Sequence, residues 1–431
     1  MKKQLILIIL ILSVISALHS QITVSGILDS TVSFNAGAGE MPEFSLGLEE
    51  FANIRFQSRI RDKAVVYGAV NLIAIAGDYA ANAALAAGMP SGESITFINN
   101  NEVSSIYILN GGYYQKQGYV PPGINPSAFA AGENYIAGIE LERLYFRLHG
   151  EHTDFDGGLM RLPFGYGQVW GPSDFLNPRN PLKPDARARA ILGAALTLYP
   201  ADELKLLAFY SAPRDPFSRE AKGSFAGLSL DQHWEKASIQ ALYSFETPAE
   251  GSEFGVHRAG LSLKADLEIG IVMDALFTYN HEKMKDLEFY SDKDDERSIL
   301  DGLSFSIGAD YSFFDGNLLV IAEYLFNGGT SSTALYHGGS FTNNHYLYAG
   351  FTYRFNDFTN MNAAVICGFD DVSFTPVVSL THELFQGAAL TITAQIPLDR
   401  DLFHNDGNSG ELGPLNARSY FSCSARIRLR F

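Results

Sequence analysis

From Gln21 to the last residue the chain alternates apolar and polar side chains with a period of two. In Leu303–Phe313, LSFSIGADYSF, the residues Leu303, Phe305, Ile307, Ala309, Tyr311 and Phe313 share one side of an extended chain, and Ser304, Ser306, Gly308, Asp310 and Ser312 share the other. Successive side chains of a strand point to opposite faces, so this pattern predicts strands. The stretches 269–279, 345–355, 388–396 and 420–431 repeat it. Each is about ten residues long, the length a tilted strand needs to cross a bilayer. Eighteen such segments can be placed, beginning near residues 22, 51, 64, 135, 157, 188, 204, 223, 237, 254, 269, 302, 317, 345, 361, 372, 388 and 418. The segments near 64 and 372 are the weakest, which leaves sixteen strands as the alternative.

The connections alternate in length. Arg61–Lys63, Pro200–Glu203, Glu235–Lys236, Phe314–Gly316 and Asn356–Asn360 are short, whereas 77–134, 166–187, 281–301, 327–344 and 397–417 are long. Short periplasmic turns alternating with long outer loops are expected of a barrel in an outer membrane, and they make the strand number even. A closed barrel satisfies every backbone polar group in lipid, which an open sheet cannot do. A soluble sandwich or propeller would use shorter strands and enclose its apolar face. The predicted class is therefore all-β, a transmembrane antiparallel up-and-down barrel formed by residues 21–431 as a single domain. Cys367 and Cys423 both fall on apolar faces of predicted strands and read as lipid-facing residues.

Residues 1–20 stand apart. Lys2 and Lys3 precede LILIILILSVISAL and a short polar end, the layout of a cleaved secretory signal peptide. Its removal takes two lysines from a chain whose formal charge is already −17. Such an acidic chain is no nucleic-acid binder by bulk electrostatics. Charged residues make up only 18% and aromatics 13% of the sequence. A mean hydropathy of +0.01 is too low for a bundle of membrane helices, each of which needs roughly 20 apolar residues.

The final residues, SARIRLRF, set Arg426, Arg428 and Arg430 on one face and Ala425, Ile427, Leu429 and Phe431 on the other. In a barrel the arginines point inward, and Phe431 joins the aromatic girdle at the periplasmic edge. A terminal aromatic on an amphipathic last strand resembles the signal that the outer-membrane barrel assembly machinery recognises. That resemblance makes Phe431 an expected assembly signal. Further inward arginines are Arg55 and Arg59 in the second strand, Arg143 and Arg147 in the fourth, Arg161 in the fifth, and Arg187 and Arg189 at the start of the sixth. Together they trace one arc of the wall, from the last strand to the sixth. Ile139 and Leu141 are out of phase with Leu144, Phe146 and Leu148, which predicts a bulge near Glu142. Inward acidic residues are Asp29, Asp231, Asp274, Asp310 and Glu323, and inward tyrosines are Tyr145, Tyr199, Tyr348 and Tyr420. A basic arc opposite acidic groups would set a transverse field across an aqueous path.

Residues 161–189, RLPFGYGQVWGPSDFLNPRNPLKPDARAR, combine close-approach glycines, stiffening prolines and the apolar anchors Trp170 and Phe175. Asp174 and Asn177 suit turn capping. The run R-x(3)-G-x-G-x(2)-W-G-P-S-D-F-L-N-P resembles a stretch of several porin-like outer-membrane families, including alginate-export-like and related substrate-porin barrels and spirochaete barrels. The resemblance covers about 20 residues. It implies a third loop, 166–187, folded into the lumen as the constriction, with Trp170, Asp174, Asn177 and Arg179 as constriction residues and Arg161 and Arg189 holding the loop to the wall.

No G-x-S-x-G, H-E-x-x-H or phosphate-binding loop is present, and His149 with His152 reads as a turn, so no enzyme and no cofactor or metal is expected. The expected function is a passive outer-membrane porin for small hydrophilic solutes, lined by Arg55, Arg59, Arg143, Arg147, Arg161, Arg189, Arg426, Arg428, Arg430, Asp310 and Glu323. The second reading is an adhesin or structural barrel binding partners through long loops, 77–134 above all. Expected partners are outer-membrane lipid, the assembly machinery and the solutes. A homotrimer is left open, since no outward patch reads as polar enough to mark an interface.

Overall fold

The computed structural model describes residues 22–37, 44–77, 94–97, 127–131, 135–177, 190–212, 223–248, 254–280, 299–328, 343–400, 410–413 and 420–431. The segment 1–20 expected to be a signal peptide lies outside them, as do Arg179, Arg187 and Arg189.

The strands in chain order are β1 (Ile22–Ala36), β2 (Phe44–Ile60), β3 (Ala64–Gly77), β4 (Ser94–Phe97), β5 (Ser127–Ala131), β6 (Tyr135–His149), β7 (Thr153–Met160), β8 (Ile191–Ala201), β9 (Leu204–Ser211) and β10 (Phe225–His233). They continue as β11 (Ala237–Glu246), β12 (Val256–Asp266), β13 (Gly270–Asn280), β14 (Leu303–Phe313), β15 (Leu318–Asn327), β16 (His345–Asn356), β17 (Thr359–Gly368), β18 (Ser373–Phe385), β19 (Ala388–Gln395) and β20 (Phe421–Arg430). All pairings are antiparallel between neighbours, β3 pairs with β6, and β20 pairs with β1. The result is a closed barrel of 18 strands, with β4 and β5 as an extra hairpin. Closure removes both edges. At the seam, Gly26 and Phe431 exchange backbone hydrogen bonds of 2.8 and 3.2 Å.

Strand starts agree with the sequence pattern to within a few residues, except that β2 begins at Phe44 and runs for 17 residues. The alternation of faces also holds. Along β13 the inward Val272 and Asp274 are buried, and Met273 between them is exposed to lipid. The short-turn rim carries exposed Trp234, Phe314, Phe358, Phe385 and Phe431, the girdle expected at a membrane interface. Both cysteines lie on outward positions and are free. The expected bulge is present: Ala69 pairs with Arg143 and Val70 with Leu141, leaving Glu142 as the extra residue. It turns Glu142 inward beside Glu140, and both are fully buried.

One wall is interrupted in a way that positions the interior. Strand β7 ends at Met160, so along one edge of β6 only Leu144–His149 find partners in β7. The outer part of that edge is taken by β5, which pairs with Ile136–Glu140. Pro163 lacks an amide to continue the ladder. Gly158, at φ 124°, approaches Leu144 and Tyr145 more closely than a Cβ would permit. The chain leaves the wall here and turns into the lumen.

Candidate functional site

The inner wall divides into two halves of different chemistry. The first is the arginine arc, carried by the consecutively paired strands β20, β1, β2, β3, β6 and β7. Arg55 and Arg59 from β2, Arg143 and Arg147 from β6, Arg426, Arg428 and Arg430 from β20, and Arg161 just past β7 all come from this arc, and none of them is buried. Arg428 meets Asp29 across the seam through two hydrogen bonds of 2.7 Å, so Asp29 belongs to the arc itself. Arg147 binds both oxygens of Asp156 at 2.6 and 3.1 Å. Arg161 reaches Glu142 at 3.0 Å. Arg143 lies over the Tyr67 ring, 4.7 Å from its centroid, and Tyr67 packs on Tyr145 at 5.5 Å. Arg59 and Arg430 are exposed and have no ion-pair partner among the described residues.

Beneath these charges runs a buried polar row that sequence reasoning missed. Asn53 donates to Asn71 at 2.6 Å and to Glu142 at 2.5 Å, and Asn71 donates to Glu140 at 2.7 Å. A buried carboxylate is costly unless donors surround it, and here amides and Arg161 do so. The inward phase of Asn53 with Arg55 was legible; the pairing with Asn71 needed the register.

The second half, from β9 to β16, is covered by the segment 161–177. Its apolar residues Leu162, Phe164, Phe175 and Leu176 pack on inward Leu207, Phe209, Phe225, Leu242 and Leu276. Apolar residues facing a watery lumen would be out of place, so these five mark the footprint of the loop. Each such side chain removed from water contributes about 1.5–3 kcal/mol.

Carboxylates of the wall fix the loop backbone. Glu323 of β15 accepts the amides of Gln168, Val169 and Trp170 at 3.1, 2.9 and 2.9 Å. Asp274 of β13 accepts Ser173 N–H at 3.2 Å and Ser262 O–H at 2.6 Å. Gly165, at φ 80°, lies against the Asp274 carboxylate where a Cβ would collide. Asp310 takes Gln168 Nε2 at 2.6 Å. Asp231 takes the Tyr166 hydroxyl at 3.0 Å; burial and this carboxylate both push the phenol's pKa up, so it stays a donor. The inward acidic groups of this half therefore hold a loop, and Asp231, Asp274 and Glu323 are buried.

Of the expected constriction residues, Trp170 is fully buried and packs its ring near Tyr346 and Tyr348, both centroids 6.4 Å away. Asp174 and Asn177 are buried as well, and bind the amides of Phe164 and Leu162 at 3.3 and 2.8 Å. They clip the outgoing and returning limbs of the loop together. Arg179 and Arg189 lie outside the described residues. A second inward segment, 410–413, closes on Trp170 through Leu412, with Glu411 accepting the Tyr346 hydroxyl at 2.5 Å. Nothing in the local pattern of the sequence pointed to it.

The same architecture recurs in solved structures. Acinetobacter baumannii OccAB4 is similar at a TM-score of 0.51 and 9% identity, over 95% of this chain and 98% of that one. Pseudomonas aeruginosa OccK8 (OprE) is similar at 0.51 and 10% identity, over 95% and 98%. The Pseudomonas aeruginosa outer membrane protein opdK is similar at 0.50 and 8% identity, over 95% and 98%. The fold is that of the outer-membrane porin barrels. No protein-family model matches the chain, and no curated protein matches it in sequence. At these identities the likeness is one of fold.

Proposed function

We propose that this chain is a passive outer-membrane channel for small hydrophilic solutes, narrowed by the segment 161–177 and its continuation to 187, with the arginine arc forming the open side of the passage. The observation that carries the reading is an asymmetry of exposure. The carboxylates Asp231, Asp274 and Glu323 are buried under the loop, whereas the arginines of the arc are unburied. Guanidinium groups at the water side attract anions and offer forked donors to carboxylate or phosphate. The channel therefore passes small polar solutes and favours anionic ones, despite the acidic net charge. Arg55, Arg59, Arg143, Arg147, Arg161, Arg426, Arg428 and Arg430 line the path in this reading, joined by Arg189. Trp170, Asp174, Asn177 and Arg179 set the shape of the constriction. Asp310 and Glu323 serve as loop anchors. No step requires a cofactor or a catalytic group.

Residues 1–20 act as the export signal, and Phe431 as the mark read by the assembly machinery. The adhesin reading depends on 77–134, of which only Gly77, Ser94–Phe97 and Ser127–Ala131 are described, and no observation favours it.

Liposome swelling tests the proposal. Vesicles holding the refolded chain should swell in isosmotic solutions of small sugars and carboxylates, at rates that fall with solute size. Swelling no faster than that of empty vesicles would refute it.

A further inference from the structure

We propose that two tyrosine–histidine pairs on the outward face, at the long-loop rim, are docking sites for phosphorylated headgroups of outer-leaflet lipid. The inference rests on the membrane reading above and adds a binding chemistry to the barrel's outer wall.

The two pairs share one geometry. In β11 the outward Tyr243 and Phe245 climb to the rim, and His257 of β12 stands opposite Phe245. In β15 the outward Tyr324 and Phe326 do the same, and His345 of β16 stands opposite Phe326. The hydroxyl of Tyr243 lies 2.7 Å from His257 Nδ1, and that of Tyr324 lies 2.6 Å from His345 Nδ1. Each tyrosine ring is 6.1 Å from its histidine. The phenylalanines cover the imidazoles at 4.9 and 5.4 Å, tilted by 49° and 51°.

An aromatic girdle alone would be served by tyrosine, tryptophan and phenylalanine. Two histidines in one repeated setting need another reason. Each imidazole has its Nδ1 engaged by a phenol. With the phenol donating, the ring is held in the tautomer that carries its hydrogen on Nε2. Neither Nε2 has a hydrogen-bond partner among the described residues. At the long-loop rim of a membrane barrel the acceptors on offer are headgroup phosphates, and the outward Leu261 and Leu347 sit further from that rim than His257 and His345. The net charge of −17 gives no general attraction to an anionic surface, so such contacts must be local. Four strand positions separate the pairs, roughly 20 Å at 4.8 Å per strand, so each pair takes its own headgroup.

The test uses the folded chain in detergent, with bisphosphorylated lipid A and its dephosphorylated form as probes, and counts retained lipid by native mass spectrometry. The proposal expects retention of the phosphorylated lipid and roughly tenfold weaker retention by the His257→Phe, His345→Phe double variant, which keeps the ring packing. A Tyr243→Phe, Tyr324→Phe variant frees Nδ1 and should also retain less, and it serves if the histidine variant does not fold. Equal retention by wild type and variants overturns the proposal, as does equal retention of the dephosphorylated lipid. Complete displacement by inorganic phosphate would make these free-anion sites and overturns it too. The same preparations are tested for bilayer conductance. A chain that conducts but does not discriminate lipids defeats this inference alone, and a chain that never enters bilayers defeats the membrane reading beneath it.

Discussion

Glu323 holds Trp170 in the lumen: one carboxylate oxygen accepts the Trp170 amide at 2.9 Å while the other takes those of Val169 and Gln168. Three donors on one buried carboxylate make a single side chain the main anchor of the loop tip. Glu323→Ala leaves those amides without an acceptor, at a cost of about 1–3 kcal/mol for each that stays buried. The loop should come away from the wall. Single-channel recording is expected to show noisy conductance and protease cutting within 161–177. Glu323→Gln keeps one acceptor oxygen but turns its NH2 toward at least one of the three amides, so it should fall between wild type and Glu323→Ala.

Arg59 and Arg430 are the exposed arginines of the arc that lack an ion-pair partner among the described residues. They supply positive potential without holding the wall together. Replacing both by Gln should leave stability nearly unchanged and move the reversal potential in a salt gradient toward cations. Arg428→Gln differs, because it strips the buried Asp29 of two hydrogen bonds. A loss of stability of about 1–3 kcal/mol, read as a lower midpoint in urea titration, is expected there.

Phe431 closes the barrel on Gly26, and its ring covers the glycine so closely that a Cβ there would strike it. Gly26→Ala should therefore destabilise the seam and slow refolding into vesicles. Phe431→Ala removes the terminal aromatic and leaves Gly26 in place. It should refold in vitro yet accumulate unassembled in cells, which heat-modifiable mobility on gels measures. Normal assembly in cells would show that Phe431 has only a structural part.

Glu50 faces outward, four residue positions from the Phe431 rim by the register of Ser30 with Ile427, and accepts the Ser30 hydroxyl at 2.7 Å. A carboxylate against hydrocarbon is destabilising. Glu50→Leu should raise stability by about 1–2 kcal/mol in urea titrations of the refolded barrel. An unchanged or lowered midpoint would mean that something other than lipid faces this position.

How much of this was legible depended on the range of the interaction. The period of two depends only on neighbours, so LSFSIGADYSF and its counterparts located the strands, and the phase break around Glu142 located a bulge. Glu49 and Glu50 interrupt the apolar pattern, so the alternation alone starts β2 after them and hides the outward carboxylate. Inward arginines were visible from parity alone. Their partners were not, because Arg428 meets Asp29 only through the closing register. The loop footprint was written in the sequence as inward Phe209, Phe225 and Leu242, residues that break the polar-inside rule. The carboxylate that receives Trp170 lies 153 positions away, and no local pattern names it.

Conductance of refolded residues 21–431 in a planar bilayer under a salt gradient tests the central claim most directly. The account expects stable open steps and a reversal potential on the anion side, set by the arginine arc. A correctly folded barrel that inserts but gives no steps would contradict the channel. Open steps with cation preference would contradict the arc as its selective surface.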